Sequence, residues 1–398
     1  MKEITNKKNN FPVYLCPIRE PIEKLAFDYQ EIEPLLGFLY ANAAIKDAYT
    51  FDRGTVRPDG RLDCCKQNLG AAGTKLLVDA LKDNSKIEAI LFGTGALGNQ
   101  GAKHVADLLK ENQSIKTVYL GCNYIESKGV AHLTAAIKDN PNVRSLWLKR
   151  NPIGVKGAKH IAQLLAKNQH IRTLDLVNTH IELEGLAAIV DALIMSKHPL
   201  ERLYLSGNAF GTKEAKLLNN LLIKNQCLTE LLLSVNNFGD NGAYTIAEGL
   251  SFNKTLRNLS LASNGIGEKG GIALIQAVQT HPTLERLDLG YSRSTKALGC
   301  STNEIGNLGA SAVKKLLKKN DQLLYLNVMR NSISLGGIQQ IVEGLQENNT
   351  LLELPLDKGV PQKLKLRIRS LLAINLANRN MEKPMAHKDV RIIKSVYR

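Results

Sequence analysis

The sequence has few of the features that mark a catalytic or a membrane protein. Aromatic residues make up 5% of its 398 residues, and no apolar run is long enough to span a bilayer. The N-terminal stretch MKEITNKKNN has no apolar core, which argues against a secretory signal peptide. A glycine-rich phosphate loop, an H-E-x-x-H motif and a nucleophile elbow are all missing. We therefore expect a protein that is not an enzyme and needs no cofactor.

The cysteines are few and show no useful pairing. Their spacing matches neither a metal site nor a disulfide framework. Free thiols of this kind are typical of a reducing compartment, so we expect a cytosolic protein without a metal site. The six residues are Cys16, Cys64, Cys65, Cys122, Cys227 and Cys300.

Acidic residues are also in the minority. The net charge of +15 favours an acidic protein, nucleic acid or an anionic membrane as partner. Residues 361–398 hold 10 basic and 2 acidic side chains, whereas basic residues elsewhere are mixed with acids and have no aromatic track beside them. We expect no nucleic-acid partner, no integral membrane contact, and at most weak contact of the basic tail with an anionic membrane.

What the chain does contain is a repeat of about 28 residues. A constant period of this length predicts a solenoid with one continuous core. The units start at Ile87, Ile115, Val143, Ile171, Leu200, Leu228, Leu256, Leu284, Leu323 and Leu351, and a degenerate first unit starts near Asp59.

Each unit has the same internal pattern. Apolar residues at the first, fourth and sixth places predict a short strand, as in Val143, Leu146 and Leu148. Gly at the fifteenth place and apolar residues at helical spacing then predict a helix. The ninth place is often Asn, which can form an internal hydrogen-bond ladder. These ladder residues are Asn123, Asn151, Asn208, Asn236, Asn264 and Asn331. A second Asn ends most helices, where a left-handed conformation is expected.

A strand and a helix in every unit of this length resemble the leucine-rich repeats of the ribonuclease-inhibitor type, over about three quarters of the chain. The resemblance implies an α/β solenoid with parallel strands on a concave face and helices on a convex face. We expect an N-terminal capping segment at residues 1–54, with a helix from about Glu31 to Asp47. The repeats then fill residues 55–360, and a capping helix with a basic tail follows at 361–398.

The strand residues that face away from the helices form the candidate binding surface. In the fifth-place column the single Trp147 is flanked by Tyr119 and Tyr204, and arginines lie in the same register. Exposed aromatic residues and Arg are typical of binding hot spots. The alternative is that large side chains simply cover the inner sheet. The candidate partner-binding residues are Tyr119, Trp147, Lys149, Arg150, Asp175, Arg202, Tyr204, Arg286, Asp288, Tyr291, Tyr325 and Arg330, with Tyr325 assigned to the fifth-place column.

One unit is longer than the others. Between Leu289 and Ile305 it gains about 11 residues after the strand, relative to the 28-residue period. The insertion is either a second contact point or a neutral surface loop.

Three histidines stand at the same place of consecutive units. His104, His132 and His160 fall on the outer helices, where neighbouring units lie roughly 8–10 Å apart. That spacing is too wide for one shared ion, so repeat similarity explains them better than a metal ladder.

The sequence therefore predicts a monomer that recognises another protein through the concave face. The chain also resembles the leucine-rich repeat effectors that intracellular bacteria such as Legionella secrete. That resemblance implies export without a classical signal and action in host cytosol on a host protein or another effector. The alternative function is a GTPase-activating protein of the Ran type, with Arg150 or Arg53 as the stimulatory arginine. Those proteins end in an acidic region, whereas this chain ends in a basic one.

Overall fold

The computed structural model describes residues 16–378, Val390 and Ile393. It divides into two compact units, residues 16–201 together with Val390 and Ile393, and residues 202–378. Val390 is 6% exposed. The first 15 residues of the predicted N-terminal capping segment and most of the basic tail lie outside the described residues.

The first unit begins with a helix and a small antiparallel meander, and then alternates strand and helix. Strands β1 to β3 are antiparallel neighbours, and β3 to β7 are parallel neighbours in chain order. Its elements are α1 (Tyr29–Ala41), β1 (Tyr49–Phe51), β2 (Gly54–Arg57), β3 (Arg61–Asp63), α2 (Gly70–Leu81), β4 (Ala89–Leu91), α3 (Gly98–Glu111), β5 (Thr117–Tyr119), α4 (Ser127–Ile137), β6 (Ser145–Trp147), α5 (Gly154–Leu165), β7 (Thr173–Asp175) and α6 (Glu182–Met195).

The second unit continues the same alternation with parallel strands. Its elements are β8 (Arg202–Tyr204), α7 (Thr212–Lys224), β9 (Glu230–Leu232), α8 (Gly239–Phe252), β10 (Asn258–Ser260), α9 (Glu268–Val278), β11 (Arg286–Asp288), α10 (Gly306–Lys319), β12 (Tyr325–Asn327), α11 (Leu335–Gln346) and α12 (Gln362–Asn378). No described helix has both the length and the apolarity needed to cross a bilayer.

The repeat pattern determines which side chains enter the core. Val143, Leu146 and Leu148 are all 0% exposed, as the period-2 pattern predicts. The strands lie on one side of this core and the helices on the other, so the predicted α/β solenoid fold is confirmed.

The ladder at the ninth place forms as predicted. Asn151 accepts hydrogen bonds from the backbone N–H of Asn123 at 2.9 Å and of Ile125 at 3.0 Å. Its amide donates to the carbonyls of Leu120 and Leu148, both at 2.9 Å. One buried side chain thus satisfies four backbone groups in two neighbouring turns, which is how the turns keep their spacing.

The Asn residues at the helix ends have a different role from the one predicted. Asn112 is extended, with φ −75° and ψ 128°, and is not left-handed. Its side chain accepts from the N–H groups of Ser114 and Ile115 and donates to the carbonyls of Leu81 and Asn84 in the preceding turn. These Asn residues therefore make a second ladder, and that function requires an extended backbone at the helix end.

The ends of the chain differ from expectation in detail. The first helix ends at Ala41, because Asn42 is left-handed (φ 47°) and the meander follows. At the other end α12 forms where a helix was predicted. Of its apolar residues, Ile368 is fully buried, but Leu366 is 53% and Leu376 is 46% exposed.

Candidate binding surfaces

We call the side of the β3–β7 sheet that faces away from the helices the first strand face. The strand register places Tyr119, Trp147 and Asp175 side by side on it. The rings of Tyr119 and Trp147 are 6.3 Å apart at their centroids and inclined by 51°. The ammonium of Lys149 lies 5.5 Å from the Tyr119 ring centre. The predicted aromatic cluster therefore forms, with a cation over it.

The cluster is buried, however, which contradicts the expectation of solvent-facing hot-spot aromatics. Tyr119 is 2% and Trp147 is 4% exposed. Strands about 4.8 Å apart bring large side chains into edge-to-edge contact. Tyr119 also lies across two glycines, because a Cβ on Gly93 or Gly121 would come within 2.3 or 2.7 Å of its ring or hydroxyl. Burial raises the pKa of the Tyr119 hydroxyl well above its usual value. The alternative interpretation, in which aromatics cover the inner sheet, holds here.

The charged residues of this face are also drawn inward. Asp175 is 2% exposed and accepts a hydrogen bond from the N–H of Val177 at 2.9 Å. Lys149 and Arg150 are half-buried. Burial lowers the pKa of the Lys149 ammonium, and the nearby Asp175 opposes that shift. The first strand face is thus a packed layer of neighbouring side chains.

Arg53 serves the N-terminal cap and is held on three sides. Its guanidinium pairs with Glu31, donates to the carbonyl of Gln67 and stacks 4.2 Å from the ring centre of Phe27. A stimulatory arginine must be able to reach a bound GTPase, so this geometry contradicts that role for Arg53.

The corresponding side of the β8–β12 sheet is the second strand face, and its first strands are also packed. Tyr204 is 1% exposed, which again contradicts the predicted exposure. Its hydroxyl donates to Glu230 at 3.2 Å, and Glu230 accepts the Asn258 amide at 2.9 Å. Arg202, half-buried, lies opposite Glu230 in the register. These residues form a polar network across three strands.

At its last two strands the second face is open. Tyr325 lies opposite Arg286, so it belongs to the third-place column and not to the fifth-place column predicted for it. The exposed Arg286 guanidinium stacks 3.9 Å from the Tyr325 ring centre. Burial of one side of the ring raises the Tyr325 pKa, and the neighbouring Asp288 adds to the shift.

A second stacked pair lies just beyond these strands. The exposed Arg330 guanidinium is 4.2 Å from the ring centre of the half-buried Tyr291. The Arg330 backbone is left-handed (φ 56°), and its N–H donates to Asp357 at 2.9 Å. The backbone bond and the ring together hold the guanidinium in place.

The acidic residue between the pairs faces the sheet and is engaged there. Asp288 accepts from the hydroxyl of Ser260 at 3.3 Å and the N–H of Gly290 at 2.9 Å. Burial raises its pKa, and these hydrogen bonds oppose the shift. Arg286 and Arg330 therefore carry exposed positive charge at this end of the second strand face, where the exposed Glu353 also lies, opposite Tyr325.

The 11-residue insertion is a folded loop beside the same pairs. Asn303 takes the ladder place that follows Tyr291, which locates the insertion at residues 292–302. Thr295 bonds the hydroxyl of Ser263 at 2.7 Å, and the Cys300 thiol lies 3.5 Å from the carbonyl of Val235. Burial raises the Cys300 pKa to about 11, so the thiol stays protonated at neutral pH. The loop packs back over preceding repeats of its own unit.

Sequence reasoning named all four residues of the stacked pairs but did not pair them. The third-place register could have shown Arg286 beside Tyr325. The stacking of Arg330 on Tyr291 depends on the residue at which the insertion begins, which the repeat pattern does not specify.

The three repeated histidines, His104, His132 and His160, are not part of a cluster of metal-ligating side chains in the described residues. Within the described residues no group of three or more His, Cys, Asp or Glu side chains is arranged to hold an ion. Burial and the nearby Lys75 lower the pKa of His104.

Comparison with known proteins agrees with the repeat assignment. Residues 139–162, 167–190, 224–247 and 252–274 match the family model described as Leucine Rich repeat. No curated protein matches the sequence.

Three solved structures have similar stretches of fold. An actin-binding site 2 of leiomodin-1 is 19% identical, covering 50% of this chain and 91% of that one, with a TM-score of 0.33. A Caenorhabditis elegans tropomodulin C-terminal domain is 16% identical, covering 42% of this chain and 95% of that one, also with a TM-score of 0.33. A chain of a Rad7–Elc1 complex from yeast is 12% identical, covering 74% of this chain and 76% of that one, with a TM-score of 0.45. The four matched stretches, together with one strand and one helix in every turn, show that this chain has a leucine-rich repeat solenoid fold.

Proposed function

We propose that this protein binds another protein without catalysing a reaction, and that the contact centres on the two stacked Arg–Tyr pairs of the second strand face. The observation that carries the proposal is the pairing of exposed guanidinium groups with half-buried tyrosine rings, Arg286 on Tyr325 and Arg330 on Tyr291. Arg and Tyr are enriched in binding hot spots. This location replaces the centre on Trp147, Tyr119 and Tyr204, whose burial leaves little surface for a partner.

The pairs are suited to recognition because they are arranged before a partner arrives. A guanidinium stacked on a ring loses less conformational freedom on binding than a free side chain. Its edge still presents N–H donors that match a carboxylate. The Asp288 carboxylate between the pairs is engaged with Ser260 and Gly290. We therefore propose a partner with an acidic patch, and the loop at 292–302 as a second contact beside it.

The test is an affinity capture followed by a direct binding measurement. Wild-type protein and the Arg286→Ala, Arg330→Ala double variant are each used to capture partners from eukaryotic cytosol. A protein retained by wild type alone is purified, and its affinity for both is measured by calorimetry. Loss of two hot-spot arginines predicts a fall in affinity of about 100-fold or more.

Arg257→Ala is the matched control. Arg257 lies in the same unit, where its guanidinium pairs with Glu285 and its backbone carbonyl, which alanine keeps, accepts the Arg286 N–H at 2.9 Å. The control should bind like wild type. Equal affinity of wild type and double variant, or no protein retained by wild type alone, would refute the proposed location.

We also propose the wider role implied by the sequence resemblance, in which an intracellular bacterium exports the chain to act on a host protein or another effector. Its support is the likeness of the repeats to those of such effectors. A fusion to a reporter enzyme that works only in host cytosol tests it. Signal from infected cells that disappears in a secretion-deficient strain is the expected result, and no signal above the uninfected background would contradict it.

A further inference from the structure

The last helix, α12 (Gln362–Asn378), has an unusual outer surface. Its inner side packs on the repeats through Ile368, which is 0% exposed, and Asn375, whose amide donates to the carbonyl of Leu351 at 2.9 Å. The end of a solenoid normally carries a capping element with a polar outer face, which keeps the stack soluble. Here Leu366 is 53% and Ile374 is 55% exposed. A helix that served only as a cap would not need these side chains.

The apolar residues form a stripe along the outer side of the helix. Leu366, Ser370, Ala373 and Ala377 follow one another at spacings of three or four residues, and Ile374 stands four residues after Ser370, which places all five on one face. The stripe therefore lies opposite the side that Ile368 and Asn375 bury.

Cations border this stripe on both sides. Residues 362–378 contain four basic and no acidic side chains. On a helical projection Arg367 falls on one flank of the stripe and Arg369 on the other, while Lys363 lies in line with the stripe at its N-terminal end. All three are exposed. Lys365 is used within the cap, where its ammonium donates to the carbonyl of Lys358 at 2.7 Å.

Three of the other outer helices differ in charge pattern. In α2, α3 and α10 the lysines are matched by carboxylates, as in Lys75–Asp79, Lys110–Asp107 and Lys314–Glu343. Among the described residues no such ion pair involves a cation of α12. The positive charge of this helix is therefore not neutralised within the part of the chain that the structure describes.

We propose that the outer face of α12 docks on an anionic lipid bilayer. A helix with an apolar stripe between rows of cations lies in the plane of a membrane interface, with the stripe in the acyl boundary and the cations among anionic headgroups. An acidic protein would satisfy the cations, but it would not require the row of exposed apolar residues between them. The surface is separate from the two stacked Arg–Tyr pairs, so this proposal does not depend on the function proposed above.

The test is co-sedimentation of the full chain with vesicles. Phosphatidylcholine vesicles with about 30 mol% phosphatidylserine serve as the anionic surface, and pure phosphatidylcholine as the neutral one. The chain should sediment with the former and stay in solution with the latter. Each cation near an anionic surface strengthens binding by about fivefold. The Lys363→Gln, Arg367→Gln, Arg369→Gln variant should therefore lose on the order of 100-fold in partition coefficient.

The control removes the same charge elsewhere. Lys156, Lys159 and Lys167 are exposed on or just after α5, and their triple change to Gln should leave binding within a few-fold of wild type. A Leu366→Ser, Ile374→Ser variant keeps every cation and should lose about tenfold or more. Circular dichroism checks that each variant is folded.

Three results would overturn the proposal. One is no sedimentation of wild type with the anionic vesicles. Another is equal loss by the α12 variant and the α5 control, which would assign binding to net charge. The third is retention of the chain on immobilised polyglutamate without vesicle binding, which would replace the bilayer with an acidic protein.

Discussion

The first strand face and the last two strands of the second are built from the same repeat and have opposite surface properties. On the first, Tyr119 and Trp147 pack against each other and are at most 4% exposed. On the second, Arg286 and Arg330 lie on tyrosine rings and remain in solvent. The difference follows from the repeat positions that the large side chains occupy. Aromatics in the fifth-place column on adjacent strands cover one another, whereas a ring next to an arginine is covered on one side only. A large side chain on a repeat face thus does not by itself indicate a binding site.

The largest effect on stability should come from removing a buried aromatic side chain of the first strand face. Trp147→Ala removes a nearly fully buried indole and leaves a cavity beside Tyr119, which costs about 3–5 kcal/mol of the free energy of unfolding. Denaturant titration measures it. A loss below about 1 kcal/mol would mean that Trp147 is not packed as described.

That expectation also affects how a binding experiment is designed. A variant at Trp147 and Tyr204 would lose a partner through unfolding as readily as through lost contacts, because both side chains are buried. Variants at exposed residues avoid this ambiguity.

The second prediction concerns what the two faces share. Asn151 and Asn236 make equivalent ladder bonds, since Asn236 accepts from Asn208 and Phe210 and donates to Leu205 and Leu233. Changing either to Ala leaves buried backbone groups unpaired and should cost about 2–3 kcal/mol or more. Denaturant titration of the two single variants should give equal losses. A difference larger than about 1 kcal/mol would show that the units do not rely equally on the ladder.

In the second ladder, one of the helix-end Asn residues is replaced by histidine. His281 stands where most helices end in Asn, and its Nδ1 accepts the N–H groups of Thr283 at 3.3 Å and Leu284 at 3.1 Å. Burial lowers its pKa from 6.5 to about 4. The folded state therefore binds the proton less readily than the unfolded state. The contribution of neutral His281 to the free energy of unfolding is therefore complete above pH 6.5. As the pH falls towards 4, on the order of 2–3 kcal/mol of it is lost.

His281→Asn should remove that part of the pH dependence. The amide can reproduce both acceptor bonds, as Asn253 does with Thr255 and Leu256. The measurement is the free energy of unfolding of wild type and variant at pH 7.5 and pH 4.5. If the two lose the same amount between these values, His281 is not the source.

The smallest effect on stability is expected at the second face. Arg286→Ala and Arg330→Ala remove exposed side chains, so each should change the free energy of unfolding by less than about 0.5–1 kcal/mol. Thermal melts check this. A larger loss would assign the guanidinium–ring stacks to folding and weaken the case for recognition there.

The sequence itself determined the repeat, the strands, the ninth-place ladder and therefore the solenoid fold. These depend on local periodicity and on identical turns meeting at a constant spacing, as Asn151 shows by satisfying backbone groups 26 and 28 residues earlier. Only the tertiary structure decided exposure and pairing, because both depend on neighbours from other turns. The burial of Trp147 depends on Tyr119, and the stack of Arg330 on Tyr291 depends on the loop that separates their turns. A period predicts which way a side chain points, but the residues of adjacent turns decide whether solvent can reach it.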